Sequence, residues 1–169
     1  MPFTDIEQPE IIHIDHTVRL RKYDGNHQIA IPWYQDEVVR RFSEGVEDAN
    51  ILLDATYVSR KLDWLNTMGE VYFIEAVVND DYLPIGVVTL KEDNPPIEIG
   101  NPRYRGKGIG KKVMKALLNR AREIGIKKIY NTGCYEDNIA CQKMLEAVGF
   151  TLAQHDQKER RKIFEIILR

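Results

Sequence analysis

The chain has 169 residues, of which 43% are hydrophobic and 30% are charged, and its formal net charge is −2. This size and composition are typical of one soluble domain that can bury a core. No apolar run approaches the ~20 residues of a membrane span, and the first ten residues lack the basic start and apolar segment of a signal peptide. We therefore expect a single cytoplasmic domain over residues 1–169, without a membrane partner.

Charge is distributed unevenly along the chain. Residues 101–130 contain ten lysines and arginines and only one acidic residue, Glu123, whereas residues 1–100 contain nineteen acidic and eight basic residues. Clustered basic side chains favour a polyanionic ligand, although most of them would equally suit a solvated helix face. Nucleic acid is not an expected partner, because the whole chain is slightly acidic and no recognised nucleic-acid-binding motif accompanies the basic segment.

The first half of the chain predicts one strand followed by two helices. Alternating apolar and polar residues predict the strand over residues 11–23. Pro32 suits the first turn of a helix, and apolar residues at helical spacing extend it to about residue 42. The second helix is predicted over about residues 54–68, with an aspartate as its cap and a glycine as its stop.

The second half alternates between predicted strands and helices, and ends with a strand pair. The first two strands form an antiparallel pair, and the fourth returns parallel to the third after a long helix. The expected strands cover residues 70–78, 84–90, 97–100, 127–135, 150–159 and 162–168. The long helix ends near residue 125, and a last helix covers residues 138–148.

The strand over residues 97–100 leads into a basic turn with glycines at positions 106, 108 and 110. Glycines leave the backbone N–H groups of the following helix start unobstructed. The first turn of a helix has unpaired N–H donors and the positive end of the helix dipole, so it stabilises a bound anion. The pattern predicts a phosphate site, and the alternative is a turn that only connects a strand to a helix.

Spacing separates the known phosphate-binding patterns. A Walker P-loop is excluded because Gly100 lies one residue too far from Gly106 and no hydroxyl residue follows the lysine. The dinucleotide-binding fingerprint is excluded because Lys111 stands where its third glycine belongs. The remaining pattern, Arg-x-x-Gly-x-Gly from Arg103 to Gly108, resembles the acetyl-CoA pyrophosphate loop of the GNAT family of N-acetyltransferases.

A second motif strengthens this resemblance. Asn138 opens a predicted helix that ends in Gly149-Phe150, and this is similar to the GNAT motif in which the asparagine and first helical turn contact the pantetheine and adenosine side of the cofactor. The two motifs occur in the family's order, and the resemblance covers about residues 70–168. In style the second motif is closest to the ribosomal-protein alanine N-acetyltransferase type.

The resemblance implies a fold, a cofactor and a set of contacts. The implied fold is the α/β GNAT (acyl-CoA N-acyltransferase) fold, with a mixed central sheet of about six to seven strands and about four flanking helices. Acetyl-CoA is the implied co-substrate, and no metal is expected because the cysteines and histidines lack ligand spacing. The implied cofactor contacts are Glu98, Ile99, Gly100, Arg105, Gly106, Lys107, Gly108, Ile109, Gly110, Lys111, Asn138, Cys141 and Lys143.

The usual acid and base of the family are missing from this sequence. Leu145 stands where many members have a tyrosine that protonates the leaving thiolate, and Gly133 stands where some have an acidic base. Glu98, beside the expected thioester, is therefore the favoured catalytic residue, provided that burial raises its pKa towards neutrality. Glu75 on the neighbouring strand and the pair Tyr135 and Glu136 are the other candidates.

The expected function is acetyl-CoA-dependent N-acetyl transfer, directly to a primary amine. A protein N-terminus, an aminoglycoside-like antibiotic and a small cationic amine all remain open as acceptors. Acidic residues at positions 44, 47 and 48 favour a cationic acceptor, although a solvated acidic loop explains them equally well. The alternative function is a non-catalytic acyl-CoA-binding module, and the sequence leaves a homodimer open.

Overall fold

The computed structural model describes residue 3 and residues 5–169 of the chain; residues 1, 2 and 4 of the expected domain lie outside it. Its eight strands form a sheet of five, in the order β1-β2-β3-β4-β5, and a sheet of three, in the order β6-β8-β7. All hydrogen-bonded neighbours within both sheets are antiparallel. The strands are β1 (Ile11–His13), β2 (Val18–Lys22), β3 (Glu70–Val78), β4 (Asp81–Leu90), β5 (Ile97–Ile99), β6 (Lys128–Tyr135), β7 (Thr151–Asp156) and β8 (Arg161–Ile167).

Within the described residues, three α-helices pack on this framework, together with short helical segments of other types. The α-helices are α1 (Ala55–Met68), α2 (Ile109–Glu123) and α3 (Ile139–Ala147). The other segments are two 3-10 segments, His27–Gln35 and Pro102–Tyr104, and a π-helical turn, Val39–Ser43. The predicted α/β class is confirmed. In the described part of the chain, no helix is both long and apolar enough to cross a membrane.

The predicted single strand over residues 11–23 is wrong, because it is a hairpin of β1 and β2. The Asp15 carboxylate makes the turn, since it accepts hydrogen bonds from the Thr17 N–H at 2.8 Å and the Val18 N–H at 3.1 Å. Lys112 on α2 approaches the same carboxylate at 2.8 Å and, with Thr17, lowers its pKa far below the usual range. Side-chain hydrogen bonds of this kind turn the chain where alternation alone predicts continued strand.

The predicted helix over residues 32–42 is also wrong. Asp36 has extended backbone dihedral angles, and its carboxylate accepts hydrogen bonds from the N–H groups of Val38 and Val39. It therefore ends the 3-10 segment before it and begins the π turn after it, as short polar residues commonly do at helix boundaries.

Helices α1 and α3 each begin directly after a side chain that caps the helix. Asp54 accepts a hydrogen bond from the Tyr57 N–H at 3.0 Å at the start of α1, and Gly69 ends that helix as predicted. Asn138 accepts from the Cys141 N–H at 3.2 Å at the start of α3. Between β3 and β4 the turn is shorter than predicted, because Asn79 and Asp80 both adopt left-handed conformations.

Two core clusters lie on opposite faces of the five-stranded sheet. One lies beneath α2 and α3 and includes Val113, Met114 and Leu117, and the other lies beneath α1 and includes Tyr34 and Phe73. Side chains alternate between faces along a strand. In β5, Ile97 and Ile99 accordingly pack on the first cluster, and Glu98 between them points towards α1. This alternation positions the central carboxylate of the candidate site.

Candidate functional site

The site is a cleft between the two sheets. Strands β5 and β6 belong to different sheets. Within the described residues, they are connected only by a single parallel bridge between Asp93, which precedes β5, and Tyr130 in β6. The expected parallel relation exists at this bridge and then opens into a cleft of about 500 Å³. Its walls are formed by the π turn, β5, the glycine-rich turn, β6 and α3.

Asn94 is a wedge that holds the strands apart. Its N–H donates to the Tyr130 carbonyl at 2.7 Å, and its side-chain oxygen accepts from the N–H groups of Thr132 at 3.2 Å and Gly133 at 2.9 Å. The side chain thereby satisfies N–H groups of β6 that a neighbouring strand would otherwise bind. A Cβ on Gly133 would lie 2.9 Å from the Asn94 oxygen. A residue larger than glycine at position 133 would therefore require the Asn94 side chain to move.

The glycine-rich turn presents bare amides to the cleft. Gly106 and Gly108 have φ angles of 72° and 78°, a left-handed conformation that disfavours other residues. Gly108 is the N-cap of α2, and no described side chain caps the helix or places an acid in its first turn. The first-turn N–H groups of α2 therefore face the cleft without a side-chain partner, which suits an anion.

The basic side chains near this turn differ in their availability. The Arg105 guanidinium is engaged, because it donates to the Ile99 carbonyl at 2.8 Å and to Asp36 at 2.9 Å. Lys107 lies over the Tyr104 ring at 5.6 Å, and Lys111 is exposed at the cleft wall. Arg105 is thus a brace between the cleft and the 3-10 segment, whereas Lys111 has no ion-pair partner among the described residues and could meet a phosphate.

The second motif lines the opposite wall. Asn138, Cys141 and Lys143 all border the cleft, although the Asn138 side-chain oxygen is already used as the cap of α3. A hydrogen bond from Cys141 lowers the pKa of the buried Cys134 thiol on β6. Asn131, also on β6, was missed by sequence reasoning: it is buried at the cleft wall, and its side-chain oxygen finds no partner among the described residues.

Glu98 is the buried carboxylate of the cleft. Its side chain is 2% exposed, its Oε1 finds no hydrogen-bond partner in the described chain, and the Lys61 ammonium lies 4.0 Å from that oxygen. Burial raises the pKa of Glu98 to about 7, against the opposing charge of Lys61 and with a smaller contribution from Glu44. A carboxylate with this pKa is poised to accept a proton near neutral pH.

A polar cluster surrounds Glu98 on the α1 side. Glu44, which follows the π turn, accepts hydrogen bonds from the Tyr57 hydroxyl and the Lys61 ammonium. The Tyr34 hydroxyl is buried without a partner in residues 3 and 5–169, and burial together with Glu98 and Glu44 raises its pKa. Sequence reasoning missed this cluster, although Tyr57 and Lys61 are four residues apart and so share one helix face.

The other candidate bases lie elsewhere or are already paired. Glu75 is held by the Arg19 and Arg21 guanidiniums, each at 2.9 Å, and it is not among the residues that line the cleft. Hydrogen bonds from Arg160 and His155 lower the pKa of Glu136. These two predictions are therefore not supported by the geometry. Leu145, at the position of the usual tyrosine, is fully buried in the core.

A second, more polar pocket of about 330 Å³ adjoins the cleft. Phe42 lines both cavities. The remaining lining includes four carboxylates and two guanidiniums, from Glu47, Glu136, Asp137, Glu159, Arg41 and Arg160. Among the described residues, no group of three or more His, Cys, Asp and Glu side chains could hold a metal ion.

A family comparison assigns this architecture. The model of the acetyltransferase (GNAT) family matches residues 27–150, which is well over half of the chain. The chain belongs to the GNAT family. The GNAT resemblance of the two motifs and the expected GNAT fold are thereby confirmed.

Individual GNAT relatives are distant. A Bacillus subtilis protein named uncharacterized N-acetyltransferase YfmK is 28% identical over 130 residues, covering 75% of this chain and 80% of that protein. The ribosomal L7/L12 alpha-N-protein acetyltransferase RimL in complex with coenzyme A has a TM-score of 0.67 at 16% identity, covering 94% and 98% of the two chains. Spermidine N-acetyltransferase from Vibrio cholerae, in complex with CoA and spermine, has a TM-score of 0.69 at 14% identity, covering 91% and 97%.

Proposed function

We propose that this GNAT protein is an acetyl-CoA-dependent N-acetyltransferase that moves the acetyl group directly to a primary amine. The observation that carries the proposal is the position of Glu98, a buried carboxylate with a pKa of about 7 at the point where β5 and β6 diverge. A non-catalytic acyl-CoA-binding module would have no need of a poised base in the cleft.

The proposed cofactor path runs from the glycine-rich turn into the strand gap. The pyrophosphate would bind the N–H groups of residues 105–110 at the start of α2, with Lys111 adding charge. The pantetheine arm would then pair with the free edge of β5, at Glu98, Ile99 and Gly100, since the other edge of β5 is occupied by β4. Asn138, Cys141 and Lys143 border the same path from α3.

Main-chain geometry supports an oxyanion hole at Ile99. The Thr89 N–H donates to the Pro96 carbonyl at 3.0 Å. Val87 lies opposite Glu98 in the same register, so the main-chain N–H and C=O of Glu98 face β4. Successive N–H groups of an extended strand point to opposite edges, so the Ile99 N–H faces the cleft. There it would stabilise the negative charge that develops on the thioester oxygen.

The proposed reaction follows from these positions. Glu98 takes a proton from the acceptor ammonium, and the neutral nitrogen attacks the thioester carbonyl carbon to give a tetrahedral oxyanion. The C–S bond then breaks, the nitrogen releases its second proton to solvent as the amide forms, and the thiolate of CoA leaves. Because Leu145 offers no hydroxyl, the thiolate takes its proton from solvent.

The proposed acceptor is a cationic amine that enters through the second pocket. That pocket has more carboxylates than guanidiniums in its lining, and it meets the cleft at Phe42. One related structure acts on a protein α-amine and another holds spermine. Both acceptors present a protonated nitrogen, which must lose a proton before it can attack.

Calorimetric titration with acetyl-CoA and, separately, with ATP tests the cofactor, and thiol release with a panel of amines tests the reaction. We expect micromolar affinity for acetyl-CoA, little affinity for ATP, and thiol release with at least one cationic amine. Equally weak binding of both nucleotides would defeat the proposal. Tight acetyl-CoA binding without thiol release from any amine would support the non-catalytic binding module instead.

A further inference from the structure

The Lys61 ammonium lies between two buried carboxylates and contacts them unequally. It makes a direct ion pair with Glu44, whereas it stays 4.0 Å from Glu98. We propose that Glu44 is a positioning residue, which holds Lys61 away from Glu98 and so keeps Glu98 available as a base. This role rests on the function proposed above.

Glu44 is well anchored for this role. One of its oxygens accepts from Lys61 and the other from the Tyr57 hydroxyl, so both carboxylate oxygens are occupied. Tyr57 and Lys61 lie on adjacent turns of α1, and this helix is capped at both ends. The Glu98 Oε1, by contrast, is buried without any hydrogen-bond partner in the described chain.

The difference matters because a direct ammonium contact weakens a carboxylate base. An ion pair lowers the pKa of a carboxyl group by about 1–3 units. The side chains of Lys61, Glu44 and Glu98 are only 17%, 4% and 2% exposed, so salt and water screen them little. If Lys61 closed onto Glu98, the carboxylate would remain ionised but would take up a proton poorly at neutral pH.

Within the described residues, Lys61 is the cation that acts on Glu98, and no other takes its place. Among described residues, α1 presents Tyr57 and Lys61, the segment after the π turn presents Glu44, and the 3-10 segment presents Tyr34. Strand β4 places the apolar Val87 opposite Glu98. Glu44 and Glu98 therefore compete for the Lys61 ammonium, and the outcome of this competition sets the protonation of Glu98.

The test is a double-mutant cycle on the Glu98 titration. The variants are Glu44→Gln, Lys61→Met and the double variant, and two readouts are followed against pH: the Glu98 carboxyl resonance, assigned by its loss in Glu98→Gln, and kcat/KM for the acetylated amine. Tyr57→Phe is a milder variant that removes only one anchor of Glu44. Glu165→Gln is the matched control, since Glu165 pairs with Lys128 at 2.8 Å outside the cleft.

We expect Glu44→Gln to lower the midpoint of both readouts by about one unit or more, because Lys61 is then free to pair with Glu98. Tyr57→Phe shifts the midpoints in the same direction by less, Lys61→Met raises them, and Glu165→Gln leaves them unchanged. In the Lys61→Met background, Glu44→Gln loses most of its effect, because its action passes through Lys61.

Two results would overturn the role of Glu44. One is an unchanged midpoint in Glu44→Gln, and the other is an equal shift with and without Lys61, which would indicate a simple charge effect of Glu44. Failure of the proposed function is distinguishable from both. The resonance would then still shift as expected while wild-type protein acetylates no amine, and the assignment of Glu44 to catalysis would be withdrawn.

Discussion

Glu98 differs from the other buried glutamates because no cationic side chain in the described residues makes a direct hydrogen bond to it. Arg120 binds Glu70 through two hydrogen bonds of 2.9 and 2.8 Å, and two arginines bind Glu75. Glu98 has only a lysine at 4.0 Å. Charges buried without a direct partner are unfavourable for folding, and they are concentrated at functional sites.

Replacing this one carboxylate tests its catalytic role. We expect Glu98→Gln to lower kcat by about 10²–10⁴-fold, the usual contribution of a general base, with little change in acetyl-CoA affinity. In the wild type, kcat/KM rises with pH through a midpoint near 7 and levels off above it, because the ionised form is the active base. Thiol release across pH and calorimetry with acetyl-CoA measure the two effects. Unchanged turnover in the glutamine variant would assign proton removal to another group.

At the scale of elements, the turn before α2 must keep its left-handed glycines. Gly108→Val is expected to abolish acetyl-CoA binding, because the side chain would stand over the amides of α2. The left-handed conformation also costs about 1–2 kcal/mol for a residue with a Cβ. Gly25→Val is the matched control, since Gly25 has a φ of 88° and, like Gly108, has nothing within 4 Å of an added Cβ.

Denaturant unfolding and calorimetry compare the two glycine variants. Both should lose similar stability, and only Gly108→Val should lose the cofactor. Retained acetyl-CoA affinity in Gly108→Val would count against the phosphate assignment of this turn.

The divergence of β5 and β6 depends on the Asn94 wedge. We expect Asn94→Ala to lower the free energy of unfolding by about 1–3 kcal/mol, because the Thr132 and Gly133 N–H groups lose their acceptor. Acetyl-CoA affinity should fall as well, since the strand edge loses its position. Asn119→Ala, on the exposed face of α2, is the control for removing an asparagine. Equal effects of the two variants would show that the Asn94 side chain does not determine the separation of β5 and β6.

Sequence patterns predicted the elements whose ends are set locally. The boundaries of α1 and α3 follow from Asp54, Gly69 and Asn138, which cap their own helices. The prediction failed near Asp15 and Asp36, where a carboxylate binds nearby N–H groups and breaks a pattern that looks continuous. Side-chain hydrogen bonds of this type leave hydrophobic periodicity almost unchanged, so periodicity does not detect them.

Sequence patterns also predicted one part of the candidate site and missed another. Glu98 and the glycine-rich turn lie within one short stretch of sequence, so motif spacing was sufficient to find them. The cluster of Glu44, Tyr57 and Lys61 is brought to Glu98 only by packing α1 on the sheet. No spacing along the chain connects position 44 with position 98, and the tertiary structure was needed to relate them.

At the scale of the whole molecule, the buried carboxyl group of Glu98, the proposed base, lowers global stability. The pKa of Glu98 is about 7 in the folded protein and 4.5 in its unperturbed state. Between these values the folded state holds a proton that the unfolded state has lost, so the free energy of unfolding falls as pH rises through this window. The destabilisation approaches about 3 kcal/mol above pH 7, because one unit corresponds to about 1.4 kcal/mol.

Comparing wild type with Glu98→Gln in urea from about pH 3 to pH 8 isolates this contribution. The two proteins should converge in pH dependence below pH 4.5, and the variant should gain relative stability towards pH 8. Parallel curves over the whole range would mean that Glu98 has an ordinary pKa. The measurement needs no substrate, so it is independent of the acceptor.

The Arg105 brace connects the region proposed for the cofactor with the region proposed for the amine acceptor. Its guanidinium ties the end of β5 to Asp36, which separates the 3-10 segment from the π turn that walls the cleft. A pyrophosphate at the adjacent amides would compete with Asp36 for the Arg105 guanidinium. The π turn in the cleft wall would then lose this tether and could move when the cofactor binds. For the proposed acetyl transfer, the brace predicts a compulsory kinetic order, in which acetyl-CoA enters before the amine and free CoA is the last product to leave.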